Sequence, residues 1–105
     1  MGRSERMFRT WRYQPVITWT EGEPCVTLVE AHFAADETLE HWTAPCEMVP
    51  QGQTVFELLD DLIRMSVDSL TWKPVDYVEL HVGMTFEKSG ITFDSLISAI
   101  TDVVP

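Results

Sequence analysis

The first part of the chain alternates between apolar and polar positions, which is the pattern of β-strands with one buried face. Residues 7–20 predict a first strand, 25–34 a second and 39–44 a shorter third, with turns at 21–24 and 35–38. Pro15 has no N–H for a strand ladder, so it predicts an edge position or a bulge. The apolar odd positions of the first strand are Trp11, Tyr13, Ile17 and Trp19.

The two turns predict how these strands pair. If Ala34 and Leu39 flank the second turn, His32 faces His41 on the side of the sheet that points away from the core. For the first turn, we favour a three-residue loop over residues 21–23. That register places the aromatic side chains of the first strand on the core face, whereas a one-residue slip would turn them outward.

Residues 54–71 predict a long helix. Thr54 is the N-cap and Glu57, three residues later, completes a capping box. Asp60 lies one turn before Arg64, a favourable pair. Apolar residues fill most of the remaining surface, so we expect a broadly buried helix whose polar positions face solvent. Those positions are Glu57, Asp60, Asp61, Arg64, Asp68 and Thr71.

Residues 75–82 predict a fourth strand, and residues 92–104 a second, shorter helix that covers a sheet edge or a partner subunit. The order β-β-β-α-β-α predicts a two-layer α+β fold, in which a mostly antiparallel sheet packs on the long amphipathic helix. We expect residues 1–6 to form a basic, flexible N-terminus and residues 7–105 to form one domain.

The charge is acidic and uneven. The formal net charge is -10, and from residue 13 onward 16 acidic residues stand against three basic ones, or -13. Such a surface repels phosphate backbones and favours a basic protein partner, although charge that only keeps a small protein soluble is an equal alternative. No apolar run reaches the length of a membrane span, and no secretory signal is visible. We therefore expect a cytoplasmic protein without direct nucleic-acid or membrane binding.

The polar residues suggest few chemistries. His32, His41 and Glu30 could supply zinc ligands, but their spacing matches no ligand signature, and a solvated hairpin face explains them better. Cys25 and Cys46 are expected to be reduced thiols. Phosphate-loop, dinucleotide and zinc-protease motifs are absent, so we assign no catalytic residue and no cofactor.

Two surfaces are candidates for partners. The acidic residues of the long helix, together with an aromatic residue at its end, form a candidate partner-binding strip: Asp60, Asp61, Asp68 and Trp72. A separate apolar patch on the sheet face opposite the core predicts a homodimer. Its members are Phe8, Val16, Val26 and Leu28.

The run "TAPCEMVPQGQTVFELLDDLIRM" within residues 7–72 resembles HicB-type antitoxins, in which three antiparallel strands precede a helix that begins at a "QG-x-T-x-x-E" motif. Gln51, Gly52, Thr54 and Glu57 match it, the glutamate one position late. The resemblance implies a small binding protein that neutralises a partner. The basic DNA-binding module common in that family is not expected, because residues 75–105 are acidic. We thus expect an acidic, non-enzymatic binding protein; the alternative is a metal- or ligand-binding protein or enzyme that uses His32 and His41.

Overall fold

The computed structural model describes residues 10–45, 48–92, 94, 95, 97 and 98. The elements are β1 (Trp11–Thr20), β2 (Glu23–Phe33), β3 (Leu39–Trp42), α1 (Val55–Thr71), β4 (Val75–Asp76) and a 3-10 helix (Tyr77–Glu79). The four strands form one sheet in the order β3-β2-β1-β4, which packs with the long helix α1 and confirms the α+β class. The β1–β2 and β2–β3 pairs are antiparallel, and β4 is parallel to β1.

A two-residue loop joins β1 to β2, so the predicted three-residue loop is wrong. Thr20 pairs with Glu23, and both loop residues have positive φ, 53° at Glu21 and 81° at Gly22. Two successive left-handed residues define the type I′ turn, whose twist matches that of the flanking strands. The match of twist decides the register here, and glycine at the second loop position makes the turn accessible.

This register also reverses the predicted face of β1. Gln14 lies opposite Val29, and Arg12 opposite Ala31, so even-numbered residues of β1 share the core face. The odd-numbered aromatic residues lie on the other face, where Tyr13 is buried but Trp19 is exposed. Trp19 instead donates from Nε1 to Asp76 Oδ2, 3.1 Å away.

The core lies between the sheet and the segment that follows α1. Backbone bonds tie this segment to the sheet edge: Leu39 N donates to Met84 O (2.8 Å), and Gly83 N donates to Leu39 O (2.7 Å). A second anchor lies at the end of α1, where Ser89 N donates to Thr71 O (2.8 Å). The buried apolar residues are Val16, Val29, Ala31, Leu39, Leu80 and Phe86.

Helix α1 begins as the capping box predicts. The Thr54 side chain accepts from Glu57 N (3.1 Å), as predicted, whereas the Glu57 carboxylate accepts from Gln53 N (2.8 Å), one residue before the N-cap, instead of from Thr54 N. The helix packs along β1, but the side that meets the strand is polar and includes the buried Asp68. The prediction of a broadly buried apolar helix is therefore wrong, because most of its large apolar side chains are exposed.

The predicted fourth strand is shorter than expected. It pairs with β1 only at Val75 and Asp76, and then the chain turns into the 3-10 helix. The Asp76 side chain accepts from Val78 N (3.2 Å), which caps that helix and ends the strand. Of the predicted helix 92–104, residue 92 is not helical, and residues 94, 95, 97 and 98 are helical. Residues 93, 96 and 99–104 lie outside the described residues, as do residues 1–9.

Candidate functional site

The histidine pair lies where the hairpin pairing predicted. His32 on β2 is the register partner of His41 on β3, and their rings stack with centroids 4.5 Å apart at 12°. Trp11 on β1 continues this row, since its ring centroid lies 6.5 Å from that of His32. Tyr13 meets Trp11 edge to face at 5.3 Å. The three strands thus build one aromatic row on the sheet face opposite the core.

Glu30, the third candidate metal ligand, contacts one of the two histidines. Its Oε1 lies 2.8 Å from His32 Nε2, and both side chains are about a third exposed. Stacked rings present faces to each other rather than converging nitrogen atoms, which does not suit coordination of one ion by both rings. Within the described ranges, no group of three or more histidine, cysteine, aspartate or glutamate side chains is placed to hold a metal ion.

Two members of the predicted acidic strip are engaged inside the protein. Asp68 is buried, and its Oδ2 accepts from Tyr13 N at 2.9 Å. Asp61 accepts from the Tyr13 hydroxyl through Oδ1 and from Gln51 N through Oδ2 at 3.0 Å. Only Asp60 is exposed, and it pairs with Arg64 at 3.0 Å. The strip is therefore not one continuous solvent-facing surface, because two of its carboxylates bind β1 and the loop before α1.

Trp72 at the end of α1 also has an internal role. The Arg12 guanidinium lies over its ring, 3.4 Å from the centroid, and over Phe33 at 4.3 Å. Arg12 also donates to Gln14 Oε1, and the Gln14 amide donates to Lys73 O at 2.9 Å. This cation–π stack joins the sheet to the end of the helix. Arg12 is a polar residue of the predicted first strand, and no local pattern in the sequence predicts its contact with Trp72.

The apolar patch predicted for a homodimer is not formed as expected. Val16 is fully buried on the core face, whereas Val26 and Leu28 belong to the opposite face of the sheet. Phe8 lies outside the described residues. Cys25, close to Val26, is an exposed free thiol, and Cys46 also lies outside the described residues.

A different apolar surface dominates the exposed side of the protein. One side of α1, here called the outer face, presents six large apolar residues to solvent, with Phe56 83% exposed. Soluble monomers rarely expose a contiguous apolar area larger than a few hundred Å². Burying the exposed parts of these side chains would gain on the order of 1 kcal/mol each. The outer face consists of Val55, Phe56, Leu59, Leu62, Ile63 and Val67.

The turn between β2 and β3 carries a perturbed carboxyl group. The Thr38 hydroxyl donates to Asp36 Oδ1 at 2.7 Å, and Thr38 N donates to the same oxygen at 3.1 Å. These two bonds favour the ionised carboxylate, so they lower the pKa of Asp36 below its ordinary value. The group is fully exposed and stabilises a local turn rather than a binding site.

Comparisons with known proteins leave the family open. No protein-family model matches the chain, and neither a curated protein nor a solved structure is significantly similar to it. The resemblance to HicB-type antitoxins therefore stays a prediction from the residues. Within the part of the chain that the structure describes, no helix has the length and apolar character needed to cross a membrane.

Proposed function

We propose that this protein is a non-enzymatic interaction module that binds a basic protein partner through the outer face of α1. The observation that carries the proposal is the outer face itself: a helix turns its polar side to the sheet and its apolar side to solvent. An isolated domain gains nothing from that arrangement, whereas a binding protein gains a ready surface.

The spacing of the outer face fits a helical partner. Phe56, Leu59 and Ile63 follow one another at intervals of three and four residues, the spacing that brings side chains onto one stripe of a helix. Two helices that pack together bury such stripes against each other. An amphipathic helix from the partner, with its own apolar stripe, is therefore the element that we propose for contact.

Charge favours a basic partner over a neutral one. The chain carries 17 acidic and seven basic residues, and Arg64 is the single basic residue of α1. Asp60, which is exposed, borders the outer face. Opposite charge would raise the association rate more than it lowers the dissociation rate, so binding should weaken with salt mainly through association. The resemblance to antitoxins, which bind a partner protein, supports the same class of function.

A designed peptide tests the proposal directly. We would measure, by fluorescence anisotropy, binding of a helical leucine-lysine peptide and of its leucine-glutamate counterpart. We expect the lysine peptide to bind and the glutamate peptide to bind at least about tenfold more weakly, a difference of about 1.4 kcal/mol. Ile63→Gln should weaken binding of the lysine peptide by about tenfold or more, because it places a polar amide in the middle of the outer face.

Matched variants distinguish peptide binding at the outer face from non-specific binding elsewhere on the protein. Val78→Gln changes an apolar residue that is also exposed, 82% against 59% for Ile63, but lies outside α1, so it should leave the affinity for the peptide unchanged. Asp60→Lys should slow association at low salt, whereas Glu79→Lys, at an exposed site outside α1, should slow it much less. Binding that responds equally to Ile63→Gln and Val78→Gln would contradict the proposal.

A further inference from the structure

Strand β2 is much longer than its neighbour on one side. It spans Glu23–Phe33 and pairs with β1 from Glu23 to His32. On the other side, β3 pairs with it only at Ala31, His32 and Phe33. Among the described residues, the first half of β2 therefore has a neighbouring strand on one side only.

Hydrogen bonds at the end of β3 show which backbone groups point outward. Thr43 N donates to Glu30 O at 3.1 Å, and the Thr43 hydroxyl accepts from Glu30 N at 2.9 Å. Glu30 thus directs its N–H and C=O away from β1. Along a strand, the backbone N–H and C=O groups of successive residues point to alternate sides. Leu28 and Val26 therefore also direct their N–H and C=O groups away from β1. Pro24, two residues before Val26, also faces away from β1. Its missing N–H would point outward, so its absence removes no hydrogen bond between β1 and β2.

Pro24 protects only the start of this outward edge, and the residues between Pro24 and Val29 have little protection against pairing. Proteins usually guard a free edge with charged side chains, prolines or bulges. Between Pro24 and Val29 no residue is charged, and the β1–β2 register continues without a bulge through this stretch. Val26 is 62% exposed. An edge of this composition is suited to receive another strand.

We propose that a second copy of this chain pairs with this edge, β2 antiparallel to β2 about a two-fold axis at Thr27. In that register Val26 lies opposite Leu28 of the partner subunit, and the two residues exchange both backbone hydrogen bonds. Symmetry repeats the exchange, so four bonds form. The next outward residues are Pro24, which has no donor, and Glu30, which already bonds Thr43, so the pairing ends there on both sides.

The side chains favour a second copy over an unrelated strand. The two-fold register sets Val26 beside Leu28 of the partner subunit on one face and repeats that apolar contact by symmetry. Thr27 lies opposite Thr27 of the partner subunit, so no charged side chain is placed against a like charge. The interface closes on itself, and the two four-stranded sheets become one sheet of eight strands.

The mass in solution is the first test. The interface is small, so we expect a dissociation constant of about 10 to 100 μM, and light scattering should show a mass that rises from 12.0 kDa towards twice that value. Val26→Pro removes an outward N–H without removing a bond to β1, and Val26→Lys adds an edge charge. Each should raise the dissociation constant about tenfold or more, whereas Val26→Thr should retain the dimer.

Cross-linking tests the register. In a Cys25→Ser, Cys46→Ser background, Thr27→Cys places two thiols opposite each other in a non-hydrogen-bonded pair, close enough for a disulfide. Mild oxidation should give a covalent dimer, and Thr20→Cys at the hairpin tip should not.

A 12.0 kDa monomer up to about 1 mM would overturn the proposal. So would a dimer that survives both Val26→Pro and Val26→Lys, or one lost with Ile63→Gln instead. Peptide binding at the outer face is measured separately and does not depend on this result.

Discussion

At the scale of single residues, the buried carboxylate of Asp68 couples α1 to β1. It accepts the hydrogen bond of Tyr13 N at 2.9 Å, and both the bond and the Asp68 side chain are buried. Asp68→Ala leaves that N–H without its acceptor, so we expect the free energy of unfolding to fall by about 2 kcal/mol. Asp68→Asn keeps a carbonyl oxygen there and should cost less. Urea denaturation of both variants measures the difference, with Asp60→Ala as the exposed control. Equal losses for the two Asp68 variants would refute this role for the hydrogen bond.

Residue pairings were predictable where only a short hairpin separates the partners. The structure confirms that His32 faces His41, although the turn differs from the predicted one: Leu39 pairs with Phe33 rather than Ala34, and the register shifts between His32 and Phe33. The contacts of Asp68 and Arg12 join residues 55 and 60 positions apart. Nothing local selects such partners. A charged residue in a sequence is usually expected to be exposed to solvent. Only the folded protein supplies the buried partner, a backbone N–H for Asp68 and an aromatic ring for Arg12.

At the scale of elements, the β1–β2 turn contains a residue that suits its conformation poorly. Glu21 has a φ of 53°, in the left-handed region that asparagine tolerates better than glutamate. We therefore expect Glu21→Asn to stabilise the protein by about 0.5 kcal/mol, since Asn-Gly is the favoured type I′ sequence. Thermal unfolding measures the gain. Gly22→Ala should do the opposite, because φ is 81° at that position. A destabilised Glu21→Asn variant would contradict the two-residue turn.

The start of α1 was predictable, and its orientation was not. Thr54 and Glu57 act within one helical turn, so the capping box appears directly in the sequence. Which side of α1 faces the sheet depends on what β1 offers. Tyr13 offers a backbone N–H and a hydroxyl group, both of which need acceptors, and Asp61 and Asp68 supply them. The spacing of the polar positions predicts a solvent-facing strip, but the same spacing also fits a polar side that contacts the sheet.

At the scale of the whole molecule, the large apolar side chains divide between a buried core and exposed positions. The core lies between the sheet and the segment after α1, and six of the exposed side chains form the outer face of α1, while others, such as Trp19, Val26 and Val78, lie outside that helix. The sequence predicts a single core between the sheet and the long helix. It does not predict the division, because periodicity shows that a helix has an apolar side but does not show whether the same protein covers that side.

Two phenylalanines allow this division to be measured. Phe86 is 8% exposed in the core, and Phe56 is 83% exposed on the outer face. Phe86→Ala creates a cavity and should lower the free energy of unfolding by about 3 kcal/mol. Phe56→Ala removes no buried contact and replaces a moderate helix former by the best one. The free energy of unfolding should therefore change by no more than about 0.5 kcal/mol. Denaturant unfolding at low protein concentration compares the two variants without self-association. If Phe56→Ala costs as much as Phe86→Ala, the outer face is buried in the isolated protein, and the docking surface proposed for the basic partner does not exist.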